Sequence, residues 1–203
     1  MGLYFYHFDL YSDFRKIYRG KLGEGYLSWE SGPEWQITVY DKDFATPECY
    51  KGGVQYQIFP DRFRESRPKP MPFADRVYRA NKHGEPYFWP TETGGSLNLD
   101  YFGGDFAGIQ EKLPYLQEMG VTYIYLNPIF EAHSNHRYNT ADYLNADPLL
   151  GTNEEFSALC DAAKKHGIRI ILDGVFSHTG SDSRYFNREG RYGNGGAYHD
   201  VYS

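Results

Sequence analysis

The chain has 203 residues, a formal net charge of −6, and 18% aromatic residues, with 20 tyrosines. That length suits one large domain or two small ones, and the acidic balance disfavours nucleic acid as a partner. No apolar run reaches the roughly 18 residues that a membrane span needs, so no membrane partner is expected. The aromatic content has two readings, a large aromatic core or a surface that stacks on flat ligands such as sugar rings. The first residues, "MGLYFYHFDL", carry no basic segment followed by a long apolar one, so no signal peptide is expected and a cytoplasmic location follows. Cys49 and Cys160 lie far apart and outside any metal-type spacing, so both read as free thiols.

Residues 1–46 read as β-structure. "GLYFYHFDL" is a dense aromatic run, and "EWQITVYDKD" alternates Trp35, Ile37 and Val39 with Gln36, Thr38 and Tyr40. The glycines of "RGKLGEGYLS" supply turns between them. Three strands do not close a sandwich, so this segment is expected to be the tail of a β-sandwich domain.

After the linker-like "ATPECYKGG" the period changes. "VQYQIF" (residues 54–59) reads as a strand ending in Pro60-Asp61. Residues 64–100, rich in prolines, read as a long solvated excursion. "GGDFAGIQEKLPYLQEMG" has Ile109, Leu113, Leu116 and Met119 on one helical face, with Gly120 as its stop and Pro114 awkward unless it sits in a first turn. Asp105 reads as the N-cap of this helix. "VTYIYLNPIF" is a near-continuous apolar strand, and residues 131–152 after it read as a polar, aromatic pocket wall. His133 and His136 within that wall lack a third ligand at metal spacing. "TNEEFSALCDAAKKHG" opens on a capping box at Thr152 and Glu155, presents Phe156, Leu159, Cys160 and Ala163 on one face, and stops at Gly167. "IRIILD" is a third apolar strand.

Apolar strands alternating with helices predict an α/β fold with a covered parallel sheet. Such sheets bind ligands beyond the C-terminal ends of their strands. That rule selects Tyr56 with Asp61, Asn127-Pro128, and Asp173 to His178. An aspartate at a strand exit either caps nearby backbone or serves a site, and a loop histidine is either a bystander or a ligand. Asp173 and His178 together leave both readings open. Neither a dinucleotide fingerprint nor a phosphate loop is present, and no G-x-S-x-G appears.

Three stretches, "GGVQYQIFPDRF" (52–63), "YFGGDFAGIQEKLPYLQEMGVTYIYLNPIFEAHSNHRYNTADY" (101–143) and "GTNEEFSALCDAAKKHGIRIILDGVFSHTG" (151–180), resemble glycoside hydrolase family 13, the α-amylase family. The resemblance is nearest to its neopullulanase, cyclomaltodextrinase and amylopullulanase branch. It implies a partial TIM (β/α)₈ barrel over residues 47–180, holding strands one to three, with residues 181–203 as the start of domain B. It implies retaining hydrolysis of α-1,4 glucosidic bonds, with α-1,6 bonds left open, in maltodextrin, cyclodextrin or pullulan by a pair of carboxylates. Those carboxylates come from later strands in the family, so no catalytic residue is expected here, and the 203 residues are expected to be an inactive N-terminal fragment. A transglycosylase of the same family and a non-catalytic carbohydrate-binding protein are the alternatives.

By the same resemblance, Asp173 orders the site around an arginine of strand four, and His178 binds the sugar beside the cut. Tyr56 resembles the strand-one tyrosine that stacks near that sugar, and His136 and Tyr138 resemble substrate-wall residues. The partner implied is an α-glucan. Two departures weaken the calcium sites of the family. Ser177 stands where an asparagine is usual, and "DRFRESRPKP" lacks the acidic and amide ligands of a calcium loop. Gly103 and Asp105 remain as weak metal candidates, and no cofactor is expected. A barrel of three strands leaves open edges, so self-association of the fragment is expected.

Overall fold

The computed structural model describes residues 1–87, 98–188, 190, 192 and 193, and it divides into two compact units, Met1–Lys51 and Gly52–Ser203. The division falls a few residues later than the expected boundary at 46/47. Much of the expected domain-B segment, at 189, 191 and 194–203, lies outside the described residues.

The first unit holds five short strands rather than three: β1 (Gly2–Tyr6), β2 (Phe8–Asp9), β3 (Lys16–Arg19), β4 (Gly25–Ser28) and β5 (Trp35–Val39). β1 pairs antiparallel with β5, and β2, β3 and β4 form a second antiparallel sheet. The register sets Tyr4 opposite Ile37 and Tyr6 opposite Trp35, so the apolar residues of both strands share one face. Tyr6 and Trp35 stack with ring centroids 5.7 Å apart. The alternation in β5 is therefore real, but the face it forms stays open, with Tyr4 56% and Ile37 49% exposed. Tyr18, in β3, is the buried aromatic of this unit.

The second unit is built on three parallel strands, β6 (Val54–Ile58), β9 (Val121–Leu126) and β12 (Arg169–Leu172), in the spatial order β12-β9-β6. Between β6 and β9 run α1 (Pro60–Phe63), the short strands β7 (Val77–Tyr78) and β8 (Asp100–Tyr101), and helices α2 (Phe106–Glu111) and α3 (Leu113–Glu118). Between β9 and β12 run β10 (Phe130–Ala132), β11 (Thr140–Ala146) and α4 (Asn153–Lys165). Parallel neighbours in chain order joined through helices are how a (β/α)₈ barrel begins. Ile58, Ile124 and Leu126 of the strands pack with Ile109, Leu113, Leu116, Leu159 and Ala163 of the helices in one core.

Local chemistry explains most of these elements. Pro114 is not interior: the expected single helix divides into α2 and α3, and the proline takes the first turn of α3, where its missing N–H costs nothing. Met119 does not share the buried face. It is the C-cap of α3 and 48% exposed. The capping box of α4 forms as expected, with Thr152 accepting from the Glu155 amide and Glu155 accepting from the Thr152 amide.

Two segments hold more regular structure than their sequence suggests. Residues 131–152 contain an antiparallel hairpin, β10–β11. The excursion after α1 is exposed or half-exposed over most of its described length, but β7 and β8 pair in parallel and Arg79 and Asp100 are buried. The Arg79 guanidinium lies 3.6 Å over the Tyr87 ring and 3.7 Å from the Asp100 carboxylate, which compensates its burial.

Candidate active-site edge

The parallel ladder extends one residue past the strands. The Asn127 amide donates to the Ile58 carbonyl at 3.0 Å, and the Asp173 amide donates to the Leu126 carbonyl at 3.1 Å. Asn127 and Asp173 are thereby fixed on the same C-terminal edge, where such sheets carry their sites. Their side chains join a hydrogen-bond chain across all three strand ends. Gln57 Nε2 donates to Asn127 Oδ1 at 2.8 Å, Asn127 Nδ2 donates to the Tyr138 hydroxyl at 3.1 Å, and that hydroxyl donates to Asp173 Oδ2 at 2.7 Å.

The neighbouring Asp173 carboxylate, ahead of burial, also pushes the Tyr125 phenol up. Burial, then the bond to Asp173, pushes the Tyr138 phenol up to about 12. One carboxylate thus lies beside two phenols that keep their protons, and Tyr138 holds it in place.

His136 is half-buried, and its ring lies 5.8 Å from that of Tyr138. Its Nδ1 accepts the Tyr138 backbone N–H at 3.1 Å. A backbone amide can only donate, so Nδ1 is unprotonated and the neutral ring carries its proton on Nε2. Burial first, then the neighbouring Arg137 charge, lowers the pKa of this imidazole, which favours the same neutral form.

His178 is exposed and borders a 510 Å³ cleft with Tyr143, Phe176, Ser177, Tyr185 and Phe186. Its Nδ1 lies 3.0 Å from the Ser177 hydroxyl. The Tyr143 hydroxyl bonds the carbonyls of Val175 and, at 3.0 Å, His178, which ties down the loop after β12.

The structure thus joins Asp173, Tyr138 and His136 in one cluster and sets His178 in the adjoining cleft. Tyr56 stands apart from the cluster. Strand alternation turns it with Ile58 toward the core, where it meets Phe63 edge-on at 6.4 Å, and its neighbour Gln57 reaches the cluster instead. Gln57, Tyr125 and Tyr143 were missed by sequence reasoning. The signal was available for two of them: Gln57 and Tyr125 are polar or amphipathic side chains at cross-strand partners, on the opposite strand face from Tyr56 and Ile124.

The weak metal candidates lie elsewhere, at the start of α2. Asp105 is fully buried and caps the helix, its Oδ1 accepting from the Gly108 amide at 2.7 Å. The Ser66 amide, at 3.3 Å, and hydroxyl, at 2.8 Å, also donate to its carboxylate, and Lys69 Nζ lies 3.0 Å from Oδ2. Gly103, at φ +82°, donates its amide to Asp61 Oδ1 at 3.2 Å. These residues do not fit a calcium ion, because the oxygens it would need already hold hydrogen bonds and an ammonium. The His133 ring lies 2.9 Å from Asp75 and 3.6 Å from Asp182.

Residues 57–203 match the family described as alpha amylase, catalytic domain. The chain belongs to the α-amylase family of glycoside hydrolases. It is 46% identical over 184 residues to an amylopullulanase of Thermoanaerobacterium saccharolyticum, covering 82% of this chain and 14% of that protein. It is 44% identical over 146 residues to an intracellular maltogenic amylase of Bacillus subtilis, covering 71% of this chain and 23% of that protein. Among solved structures, the type III pullulan hydrolase from Thermococcus kodakarensis aligns with TM-score 0.62 and 31% identity over 92% of this chain and 34% of its own. The chain therefore spans between a seventh and a third of these relatives. The family's catalytic domain is a TIM barrel, of which the second unit holds a part.

Proposed function

We propose that the chain is part of a retaining α-glucan hydrolase acting on α-1,4 glucosidic bonds, with α-1,6 bonds as an open second linkage. The observation that carries this reading is the Gln57–Asn127–Tyr138–Asp173 chain, laid across the C-terminal edge of three parallel strands in a member of the α-amylase family. An α-glucan is the substrate class, in keeping with relatives named as amylopullulanase and maltogenic amylase.

The residues suggest a division of labour. Asp173 accepts the Tyr138 hydroxyl, which fixes its direction, so it orders the site rather than attacking the sugar. The Nε2 proton of His136 suits a sugar hydroxyl acceptor. His178 grips the sugar from the cleft, whose aromatic walls suit a pyranose face. The nucleophile and the acid of the retaining reaction belong to later barrel strands.

The test compares the 203-residue chain with the whole protein that carries it. The whole protein should release reducing sugar from maltodextrin and pullulan, and the chain alone should release none. Activity in the chain alone would overturn the assignment of the carboxylates to later strands. A whole protein that binds maltoheptaose and never cleaves it would replace hydrolysis with carbohydrate binding.

A further inference from the structure

The corner between α1 and α2 has the oxygen donors of a cation site and holds lysines instead. Asp105 is fully buried, and its Oδ2 lies 3.0 Å from Lys69 Nζ. Beside it, Lys82 Nζ donates to the Phe102 carbonyl at 2.8 Å and pairs with the Glu65 carboxylate at 3.1 Å. A carboxylate without solvent needs a countercharge, and removing that charge is expensive. A calcium ion meets this need with six to eight oxygens. Here it would have to enter against two ammoniums that already hold the local carboxylates and a carbonyl. The Ser66 amide and hydroxyl take up most of what remains of Asp105.

We infer that the Lys69 ammonium is the resident cation of this corner, pinning the segment after α1 to the start of α2 and making the junction independent of calcium. Ser66 and Lys69 lie on one short stretch, so a single carboxylate fastens that stretch at two points. The inference concerns the stability of the barrel part and does not rest on the proposed reaction.

The test is thermal melting of the chain in EDTA and in millimolar calcium, for the wild type, Lys69→Met and Asp105→Asn. The wild-type midpoint should be equal in both solutions. Lys69→Met should melt lower in both, by on the order of 5 °C; failure of this variant to fold counts with that loss. Terbium luminescence supplies an arm that needs no lysine variant, since the Tyr78 ring lies beside Gly103 and can sensitise an ion bound there. No saturable emission that Asp105→Asn removes should appear in the wild type. Such emission would overturn the inference, as would an EDTA-induced fall in midpoint that Asp105→Asn lacks, or a Lys69→Met midpoint equal to wild type. An EDTA effect that persists in Asp105→Asn places the metal elsewhere and supports Lys69 as the cation of this corner.

Discussion

The Tyr138 hydroxyl donates to Asp173 Oδ2 at 2.7 Å while accepting from Asn127 Nδ2 at 3.1 Å. One phenol therefore couples the exit of β9 to the exit of β12. Tyr138→Phe removes the coupling and keeps the ring. A charge-assisted bond of this kind contributes about 1.5–3 kcal/mol when sheltered, and less at a half-open edge. The expected result in the whole enzyme is a loss of about tenfold in kcat/KM, with the melting midpoint little changed. Unchanged kinetics would show that Asp173 needs no help from Tyr138.

The same phenol should be visible in alkali. Its pKa rises from 10.0 to about 12 on folding. The unfolded chain then loses the proton first, so this group's contribution to stability is whole below pH 10 and is lost as pH rises toward 12. A difference titration of phenolate absorbance, wild type minus Tyr138→Phe, should show one group titrating near the upper value. A missing phenol that titrates at the ordinary value would refute it.

His136 works in the opposite window. Burial and Arg137 hold its folded pKa below the ordinary 6.5. The unfolded chain takes up the proton first as pH falls, so stability is whole above pH 6.5 and is lost as pH drops through the folded pKa. His136→Asn keeps an acceptor near Nδ1 and cannot titrate there. Its midpoint should fall less steeply with acid than that of wild type, measured by melts across this range. Parallel curves would mean that folding leaves the imidazole pKa unchanged.

The strands and α4 were legible because their signals are local: an apolar run, a capping box, a glycine stop. The hairpin β10–β11 was not, because Glu131 to Thr152 alternates poorly and its pairing carries register shifts. Burial of Arg79 was not legible either, since it depends on Tyr87 and Asp100 meeting it across the chain. Strand-exit position located Asp173 and Asn127, yet their linkage through Tyr138 depends on where a loop returns. Tyr56 shows the limit of transfer by position, because strand alternation gives the polar edge to Gln57.

Gly104 is required by contact rather than by backbone angle. Its amide donates to the Asp61 carbonyl at 2.8 Å, and a β-carbon there would overlap the carbonyl oxygens of Pro60 and Asp61. Backbone cannot swing aside, so Gly104→Ala must part α1 from the approach to α2. The expected cost is about 2–3 kcal/mol, a fall of roughly 5–10 °C in midpoint. Gly120→Ala is the control. At φ +78° with open space around it, it should cost about 1 kcal/mol through backbone strain alone. Equal losses would remove the steric argument.

Among the described residues Arg137 is the largest fully buried side chain, and it too sits at positive φ, +61°. Its Nε donates to Asp147 Oδ2 at 2.9 Å and its Nη1 to the Asn135 carbonyl at 2.8 Å. Asp147 is equally buried, so Arg137→Met would strand a carboxylate without solvent. It would also remove a charge that restrains Asp61, whose carboxyl burial already pushes up. Loss of one partner from such a pair costs about 3–5 kcal/mol. The double variant Arg137→Met, Asp147→Asn leaves no stranded charge, and it should recover part of that loss. Denaturant melts of the two single variants and the double decide the matter. A double variant as unstable as the sum of the singles would mean that the two charges do not depend on each other.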